Sequence, residues 1–362
     1  MRSRLLSYGM LLLGLIISLL IACSNSDDCP TCPKKPPQAQ EHLFYVTSGD
    51  GLVKIFSAEE RAFIDSLVLT PNGVIEDVIG GNKMLAIWRS DGSRIFDLQT
   101  QKDIYTFPNA CGIHVSPDGQ YIALEYRWSD PYSTRLEIRR FDDLNLLFTD
   151  TFVIESKFSN DSRFITYLHN FQKPTPNNEL VVYDIKNDSI VEQRRKYTPT
   201  EQIYMFFPTV MPSEKKVFFF GGTWATWKFI GVTDFGSDSV RILAYLGDYN
   251  AQLELSPDDQ RLYYTTAPGW DDPPSMQVYA LDAIDELPLA QISTSAFGHQ
   301  PWEIAISPDG KFILTGSAFD QYDNKVGLID AVKMTAVGAY DFGSSNGAPV
   351  YPSVVTAAKF RK

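Results

Sequence analysis

The sequence predicts an all-β fold, a seven-bladed β-propeller, on the strength of three observations. A strand–turn–strand pattern recurs along the chain, its copies lie about 45 residues apart, and a lone C-terminal strand matches what the N-terminal unit lacks. A spacing of this size accommodates about four short strands, which is typical of one propeller blade. No long amphipathic helix pattern follows the N-terminal segment.

The repeated pattern is an apolar strand, a four-residue turn and a second apolar strand. It is clearest in "GHQPWEIAISPDGKFILTGS", from Gly298 to Ser317. The turns are rich in Ser, Pro, Asp and Gly, which tight turns favour. Six copies have turns that start at positions 80, 116, 159, 211, 256 and 307. They predict six blades.

The two ends of the chain supply the seventh blade. The segment from Leu43 to Leu69 has the second, third and fourth strands of a blade but no first strand. The segment "YPSVVTAAKF", which starts at Tyr351, is a strand without a partner in its own unit. We therefore expect the C-terminal strand to complete the N-terminal blade and close a propeller domain over residues 42–362.

An apolar residue followed by Asp ends the third strand of several units. These carboxylates are either metal ligands or caps of the following turn. Because they recur from copy to copy, we predict that they are caps. The residues are Asp97, Asp184, Asp282 and Asp330.

Residues 1–22 have the pattern of an export signal. Arg2 and Arg4 precede an apolar run from Met10 to Ala22. A membrane-spanning anchor is the alternative, because the apolar stretch from Leu5 nearly reaches the ~20 residues that span a bilayer.

The sequence "LIAC", which ends at Cys23, resembles the lipobox of bacterial lipoproteins. The resemblance implies cleavage before Cys23, lipidation of that cysteine and a membrane as partner. Residues 23–41 are polar and Pro-rich and read as an extended tether. Ser24 after the cysteine implies an outer-membrane lipoprotein, and "SDD" at 26–28 resembles a surface-export tag. Both a periplasm-facing and a cell-surface orientation stay open.

The cysteines indicate neither haem nor zinc. Cys29 and Cys32 form a CxxC motif, but Pro33 stands where haem attachment needs His, and no second pair exists for zinc. A local disulfide or two thiols remain as alternatives. Cys111 lies in an apolar strand and is expected in the core.

The formal net charge is −12, which argues against a nucleic-acid backbone as partner. Hydrophobic residues make up 44% of the chain, enough for a sizeable core.

Tyr45, Val46 and Thr47, in "FYVTSGDGLVKIF", resemble the hallmark of YVTN-repeat seven-bladed propellers, with Ser48 in place of Asn. Such relatives include surface binding proteins and a lactonase group. The resemblance implies the fold but does not choose between these activities.

Long segments rich in aromatic and acidic residues connect the second and third strands of the predicted blades, or precede a first strand. Exposed aromatic rings with a few polar groups are typical of recognition sites. We expect a glycan or protein ligand on this face, although the rings could instead pack between blades. The candidate binding residues are Trp128, Asp130, Trp224, Trp227, Trp270, Asp271, Asp320 and His299.

No catalytic residue, metal site or cofactor is assigned. The chain has four histidines, and it contains no nucleophile elbow, P-loop or dinucleotide motif. Calcium at an acidic loop stays open but has no spaced ligand pattern. The expectation is therefore a binding or scaffold module. The alternative is a lactonase-like or other hydrolase with its site at the channel mouth, which a cluster of His and carboxylates there would favour.

Overall fold

The protein is described here by a computed structural model, which defines the structure of most of the chain from residue 42 onward. The described residues are 42–48, 51–69, 73–79, 83–127, 134–170, 178–196, 203–223, 226–246, 249–267, 277–293, 303–316, 325–345, 348–349 and 352–357. Within these ranges the chain is all-β and contains no helix.

Twenty-eight strands form seven four-stranded antiparallel sheets, each of which is one blade. Blade 1 contains β1 (Leu43–Ser48), β2 (Leu52–Ser57), β3 (Ala62–Val68) and, from the end of the chain, β30 (Pro352–Ala357). Blade 2 contains β4 (Val74–Ile79), β5 (Met84–Arg89), β6 (Gly92–Asp97) and β7 (Lys102–Pro108). Blade 3 contains β8 (Ala110–Val115), β9 (Tyr121–Arg127), β10 (Thr134–Arg140) and β11 (Leu146–Thr151).

The other four blades follow the same order along the chain. Blade 4 contains β12 (Val153–Phe158), β13 (Phe164–Asn170), β14 (Asn178–Asp184) and β15 (Ser189–Arg194). Blade 5 contains β16 (Tyr204–Met211), β17 (Lys216–Thr223), β18 (Thr226–Asp234) and β19 (Arg241–Tyr245). Blade 6 contains β20 (Tyr249–Leu255), β21 (Arg261–Ala267), β22 (Gln277–Asp282) and β23 (Pro288–Ser293). Blade 7 contains β24 (Glu303–Ile306), β25 (Phe312–Gly316), β26 (Lys325–Asp330) and β27 (Thr335–Asp341), and a minor pair, β28 (Ser344–Ser345) and β29 (Ala348–Pro349), follows it.

The ring is closed by the last strand of the chain, as the sequence predicts. Strand β30 pairs antiparallel with β1, so that Tyr45 lies opposite Thr356 and Val46 lies opposite Val355. The innermost strand of blade 1 therefore comes from the C-terminus, and its other three strands come from the N-terminus.

The apolar core lies between blades. Seven clusters of buried hydrophobic residues occur, and each combines side chains of two neighbouring blades, one cluster for each junction of the ring. At the closing junction, for example, Phe44 and Phe56 of blade 1 pack with Leu314 and Leu328 of blade 7. Because side chains alternate between the two faces of a strand, each blade contributes to two junctions.

The innermost strands of blades 2 to 6 contain a bulge. In each of them the register with the second strand shifts, and the shift in β12 falls between Ile154 and Lys157. Glu155 and Phe207, in two of these bulges, have left-handed φ values of 56° and 51°. A bulge re-aims a side chain, so these positions can direct polar groups out of the regular ladder.

Candidate functional site

The turns between first and second strands share one face of the ring, here called the turn face. In the first complete copy the Ser116 hydroxyl donates to Asp118 Oδ1 at 2.5 Å, and Asp118 Oδ1 accepts the Gln120 N–H at 3.0 Å. The Tyr121 N–H donates back to Ser116 Oγ at 2.9 Å. The same Ser–Asp hydrogen bond closes three further turns, at 2.5 Å for Ser159–Asp161, 2.6 Å for Ser256–Asp258 and 2.8 Å for Ser307–Asp309.

Two contacts join blades 4 and 6 on the turn face. Lys157 of blade 4 lies 2.8 Å from Glu254 Oε1 of blade 6, and its Nζ donates to the Leu253 carbonyl at 2.9 Å. Asn160 Nδ2 donates to Asp259 Oδ1 of blade 6 at 2.7 Å, and burial raises the pKa of that carboxyl to about 6. Blades 4 and 6 are not neighbours, so these contacts connect the two blades past blade 5 at this face.

The Asp residues that end the third strands are caps, as predicted. Asp97 Oδ1 accepts the N–H of Thr100 at 2.6 Å, and this bond is the main cause that lowers the pKa of Asp97. The other three carboxylates accept the equivalent backbone N–H groups of their own turns. The bonds are Asn187 N to Asp184 at 3.1 Å, Asp285 N to Asp282 at 2.8 Å and Lys333 N to Asp330 at 2.9 Å.

Acid and amide side chains near the channel link several blades to the next one. Glu155 Oε2 of blade 4 accepts the Phe207 N–H of blade 5 at 2.6 Å. Gln252 Oε1 of blade 6 accepts the Ile304 N–H of blade 7 at 2.6 Å. Because each acceptor lies in an innermost strand and bonds the innermost strand of the following blade, these side chains fix neighbouring blades around the channel.

Blade 3 makes the same kind of link from its second strand. Gly112 occupies the place that Glu155 holds in blade 4, four residues before the turn, and Glu125 of β9 fills the space that Gly112 leaves. Glu125 Oε1 accepts both the N–H and the hydroxyl of Ser156 in blade 4, at 3.0 and 2.6 Å. These links were not predicted from the sequence, although an acid or amide four residues before the turn at Glu76, Glu155, Gln252 and Glu303 is a signal that could have found them.

His114 lies beside this group in the channel-side strand of blade 3. Its Nε2 is 3.9 Å from Glu125 Oε1, and its side chain is 31% exposed. Burial raises the pKa of the neighbouring Glu76 above its ordinary value, while His114 opposes that rise and Glu125 adds to it. The cluster therefore offers one accessible imidazole next to carboxylates, of which Glu125 is already bound to backbone and hydroxyl groups of blade 4.

A groove of about 380 Å³ lies at the junction of blades 5 and 6. Its walls include the stacked rings of Tyr264 and Tyr279, whose centroids are 4.8 Å apart with an interplanar angle of 4°. Tyr245, at the end of β19, also lines the groove and is 79% exposed. The groove is not recognisable in the sequence, since its residues look like ordinary strand positions.

The connections between second and third strands leave from the opposite end of each blade, here called the long-loop face. In blade 3, for example, β9 ends at Arg127 and β10 starts at Thr134. Most candidate binding residues of the sequence analysis fall in such connections and lie outside the described residues: Trp128, Asp130, Trp224, Trp270, Asp271, Asp320 and His299. Cys23, Cys29 and Cys32 lie outside them as well.

Blade 5 differs from the expectation of a long loop around Trp224 and Trp227. Strand β17 continues to Thr223 and β18 begins at Thr226, so that only two residues separate them. Trp227 is part of β18 and lies opposite Gly222. Blade 5 therefore extends a longer hairpin toward the long-loop face, because regular pairing continues through residues that read as a loop.

Cys111 is a half-buried free thiol rather than a fully buried core residue. Burial raises the pKa of this thiol, and the neighbouring Glu125 adds to the rise. In the part of the chain that the structure covers, no group of three or more His, Cys, Asp and Glu side chains is arranged to hold a metal ion. Nor does that part contain a helix long and apolar enough to cross a membrane.

Seven blades, a C-terminal closing strand and core clusters at every junction define this chain as a seven-bladed β-propeller. No protein-family model matches the sequence, and no curated protein matches it. Similarity to known proteins was therefore found among solved structures.

The fold is similar to that of hydrazine synthase from Kuenenia stuttgartiensis, with a TM-score of 0.56, 15% identity and coverage of 79% of this chain and 94% of that chain. A protein of unknown function from Desulfotomaculum acetoxidans DSM 771 has a TM-score of 0.56 and 10% identity, with coverage of 88% and 99%. The dihydro-heme d1 dehydrogenase NirN, in complex with DHE, has a TM-score of 0.55 and 12% identity, with coverage of 90% and 77%. At these identities the likeness supports the shared fold alone.

Proposed function

We propose that the protein is a lipid-anchored propeller of the bacterial cell envelope that binds a glycan or protein ligand on its long-loop face. One observation carries this proposal: the two faces of the ring are built differently. On the turn face, four tight turns are closed by their own Ser–Asp hydrogen bonds, and Lys157 of blade 4 pairs with Glu254 of blade 6. The long-loop face receives the connections that carry most of the candidate aromatic and acidic residues.

Chemistry supports this assignment of the faces. On the turn face, the Ser and Asp side chains already have partners within the protein, so a ligand would have to break these bonds in order to make its own. Aromatic rings such as those of Trp128 and Trp270 can stack on sugars or on peptide side chains, and carboxylates such as Asp130 and Asp271 accept hydrogen bonds from hydroxyls. Binding sites also concentrate on loops that a rigid scaffold presents.

The membrane anchor is a separate part of the proposal. It is supported by the "LIAC" sequence at Cys23 and by the Pro-rich stretch that follows it. Acyl chains contribute ~0.8 kcal/mol per buried methylene, so that lipidation would hold the propeller at a membrane surface. A tether of this composition would leave the propeller free to meet ligands there.

The test is a binding screen of the purified full-length chain against glycans and peptides. We expect at least one glycan or peptide to bind. If no member of either set binds, the proposed binding function is contradicted.

A second candidate function, hydrolysis in the channel, is favoured by His114 beside Glu125 and Glu76. The two hydrogen bonds that Ser156 donates to Glu125 argue against it, because they occupy the oxygen that faces His114. Turnover of lactone and ester substrates by the full chain decides between the two. Hydrolysis that disappears in His114→Ala, with an unchanged melting temperature, would support the enzyme.

A further inference from the structure

We propose that the turn face of the propeller lies against a lipid surface and that the long-loop face points away from it. This inference rests on the proposed lipid anchor, and it deepens the proposed function because it assigns one face to the membrane and leaves the other free for a ligand. Two observations carry it. They are the place where the chain enters the ring and the exposed apolar side chains at the same face.

The chain enters the propeller on the turn face, at His42. The Nε2 atom of His42 is 2.7 Å from Asp309 Oδ2, in the first turn of blade 7, and its Nδ1 atom contacts Glu59, in the last turn of blade 1. The imidazole also packs edge-on against Phe312, with ring centroids 5.1 Å apart. His42 is buried. The point where the chain joins the ring is therefore fixed at this face.

The length of the tether favours the turn face as the face next to the membrane. Residues 23–41 make 19 residues between the proposed acylated cysteine and His42. A flexible chain of this length has an end-to-end distance of roughly 25 Å. A strand of seven residues is about as long, roughly 23 Å. To bring the long-loop face to the membrane instead, the tether would have to pass along the full height of a blade.

The turns between third and fourth strands also lie on the turn face, because the third strand of each blade runs back to it. In blade 7 this turn exposes Val332, which is 58% exposed. The Val332 N–H donates to Asp330 Oδ1 at 3.1 Å, and its carbonyl accepts from Arg261 Nη1 of blade 6 at 3.1 Å. Both backbone groups of this exposed valine are thus fixed.

Blade 6 presents an apolar side chain in the same way. The Ile284 N–H donates to Asp282 Oδ1 at 2.9 Å, and the Ile284 carbonyl accepts from Lys216 Nζ of blade 5 at 3.1 Å. Leu287, at the end of the same turn, is 60% exposed. In both blades the capping Asp and a cation of the preceding blade hold the turn, so these apolar side chains are presented on a rigid support.

The same level of the ring is apolar in other blades. Ile104, Leu146 and Ile190 lie within the first three residues of the fourth strands of blades 2, 3 and 4, and they are 43–49% exposed. At least five blades therefore expose a large apolar side chain at the end of the outer strand that belongs to the turn face. Side chains placed at one level around a ring can meet a flat surface together.

A lipid surface fits this arrangement better than a protein does. A protein partner needs a continuous patch of roughly 800 Å² on each side, whereas these side chains are spread over several blades. A membrane interface accepts separate apolar side chains between its headgroups. The net charge of −12 disfavours anionic headgroups, so the surface that suits this face is one of neutral lipids.

The experiment uses the full-length protein, inserted from detergent into vesicles of phosphatidylcholine and phosphatidylethanolamine. Val332→Cys and Val68→Cys form a matched pair, because Val68 is also an exposed valine but ends β3 on the long-loop face. The chain also carries changes of Cys29, Cys32 and Cys111 to Ser, so that an environment-sensitive fluorophore reacts at one position only. Exposed positions tolerate such changes, and unchanged melting temperatures verify the fold.

We expect the label at position 332 to shift its emission to the blue in vesicles and to be quenched by brominated lipids. The label at position 68 should do neither. Leu287→Asp, added to the Val332→Cys chain, should reduce the quenching, and Val68→Asp in the same chain should leave it unchanged. Equal quenching with and without Leu287→Asp would show that no apolar contact holds the face there, and would contradict the proposal.

The other outcomes separate this orientation from the proposed function. Quenching at position 68 but not at 332 would mean that the long-loop face meets the membrane, and would overturn the inference. A blue shift at 332 already in detergent, with dimers detected by light scattering, would mean that a second copy covers this face. If mass spectrometry shows acyl chains on Cys23 but neither label is quenched, the orientation is wrong and the anchor stands. If Cys23 carries no acyl chain, the anchor and the orientation are both contradicted, while the ligand screen still tests the binding face.

Discussion

At the scale of single residues, the polar groups near the channel hold the ring together. Glu125, Glu155 and Gln252 each accept a backbone N–H from the next blade, at distances of 2.6 to 3.0 Å. Hydrogen bonds to buried backbone groups are costly to leave unmade, so these side chains specify how neighbouring blades align. The same use makes Glu125, the carboxylate beside His114, structural.

Glu155 provides a prediction on stability. Burial raises the pKa of its carboxyl from 4.5 to about 7. Because the folded protein holds this proton more tightly than the unfolded chain does, the native state loses stability as the pH rises from about 4.5 through 7. Glu155→Gln keeps an oxygen for the Phe207 N–H but cannot ionise. We expect its free energy of unfolding to exceed that of the wild type by about 1–3 kcal/mol at pH 8.

The measurement is denaturant unfolding of both proteins at pH 4 and pH 8. At pH 4 the two free energies should be similar, because the wild-type carboxyl is then protonated. Glu214→Gln is the control, since Glu214 is exposed in a turn of blade 5 and should change neither value. A variant that is less stable than the wild type at pH 8 would show that the ionised carboxylate stabilises the junction.

At the scale of elements, sequence patterns predicted the turns, the capping residues and the closing strand. The Ser–Asp turns and the capping role of Asp97 follow from residues close together in the chain, and both are confirmed. Pairing of β30 with β1 was predictable because a blade that lacks its first strand must find one elsewhere.

Features that depend on the assembled ring were not predicted. Glu125 packs beside Gly112 and reaches Ser156 of the next blade, and that relation joins three different strands. The hairpin of blade 5 was read as a loop because its Gly and Thr residues resemble a connection, whereas pairing with the neighbouring strand keeps them regular up to Thr223. The groove beside Tyr264 depends likewise on how two blades pack.

The closing strand gives a prediction for this scale. Deletion of residues 351–362 removes β30 and leaves β1 with an open edge and an exposed core at two junctions. We expect aggregation or a drop in melting temperature of more than about 10 °C, since several buried residues lose their packing. Thermal unfolding of the truncated chain tests this, and melting at the temperature of the full chain would refute the closing role of β30.

At the scale of the whole molecule, a ring with one core cluster at each junction is a scaffold for its two faces. Every blade packs on two others through these clusters. Such a scaffold can hold loop side chains from several blades in a fixed arrangement. A fold of this kind supports many activities, so the function depends on the residues that the two faces carry.

Lipidation of Cys23 predicts where the whole protein is found in the cell. Cys23→Ala removes the thiol that we propose to be acylated, and we expect the protein to leave the membrane fraction or to be mislocalised. Fractionation of cells that express the wild type and the variant tests this. A variant that still partitions with membranes and keeps residues 1–22 would instead show a transmembrane anchor.

The most direct test of the central claim compares variants on the two faces with the same ligand. Trp224→Ala and Trp270→Ala change residues that we propose for the binding face, and Glu214→Ala changes an exposed residue of the turn face. Affinity for the tightest ligand of the screen and melting temperature are measured for each. We expect a loss of ~1 kcal/mol or more of binding free energy for the Trp variants, with nearly unchanged melting temperatures, and no effect of Glu214→Ala. Unchanged affinity together with a loss of ~3–5 kcal/mol of stability in the Trp variants would mean that the rings are packed between blades, and would contradict a binding role for this face.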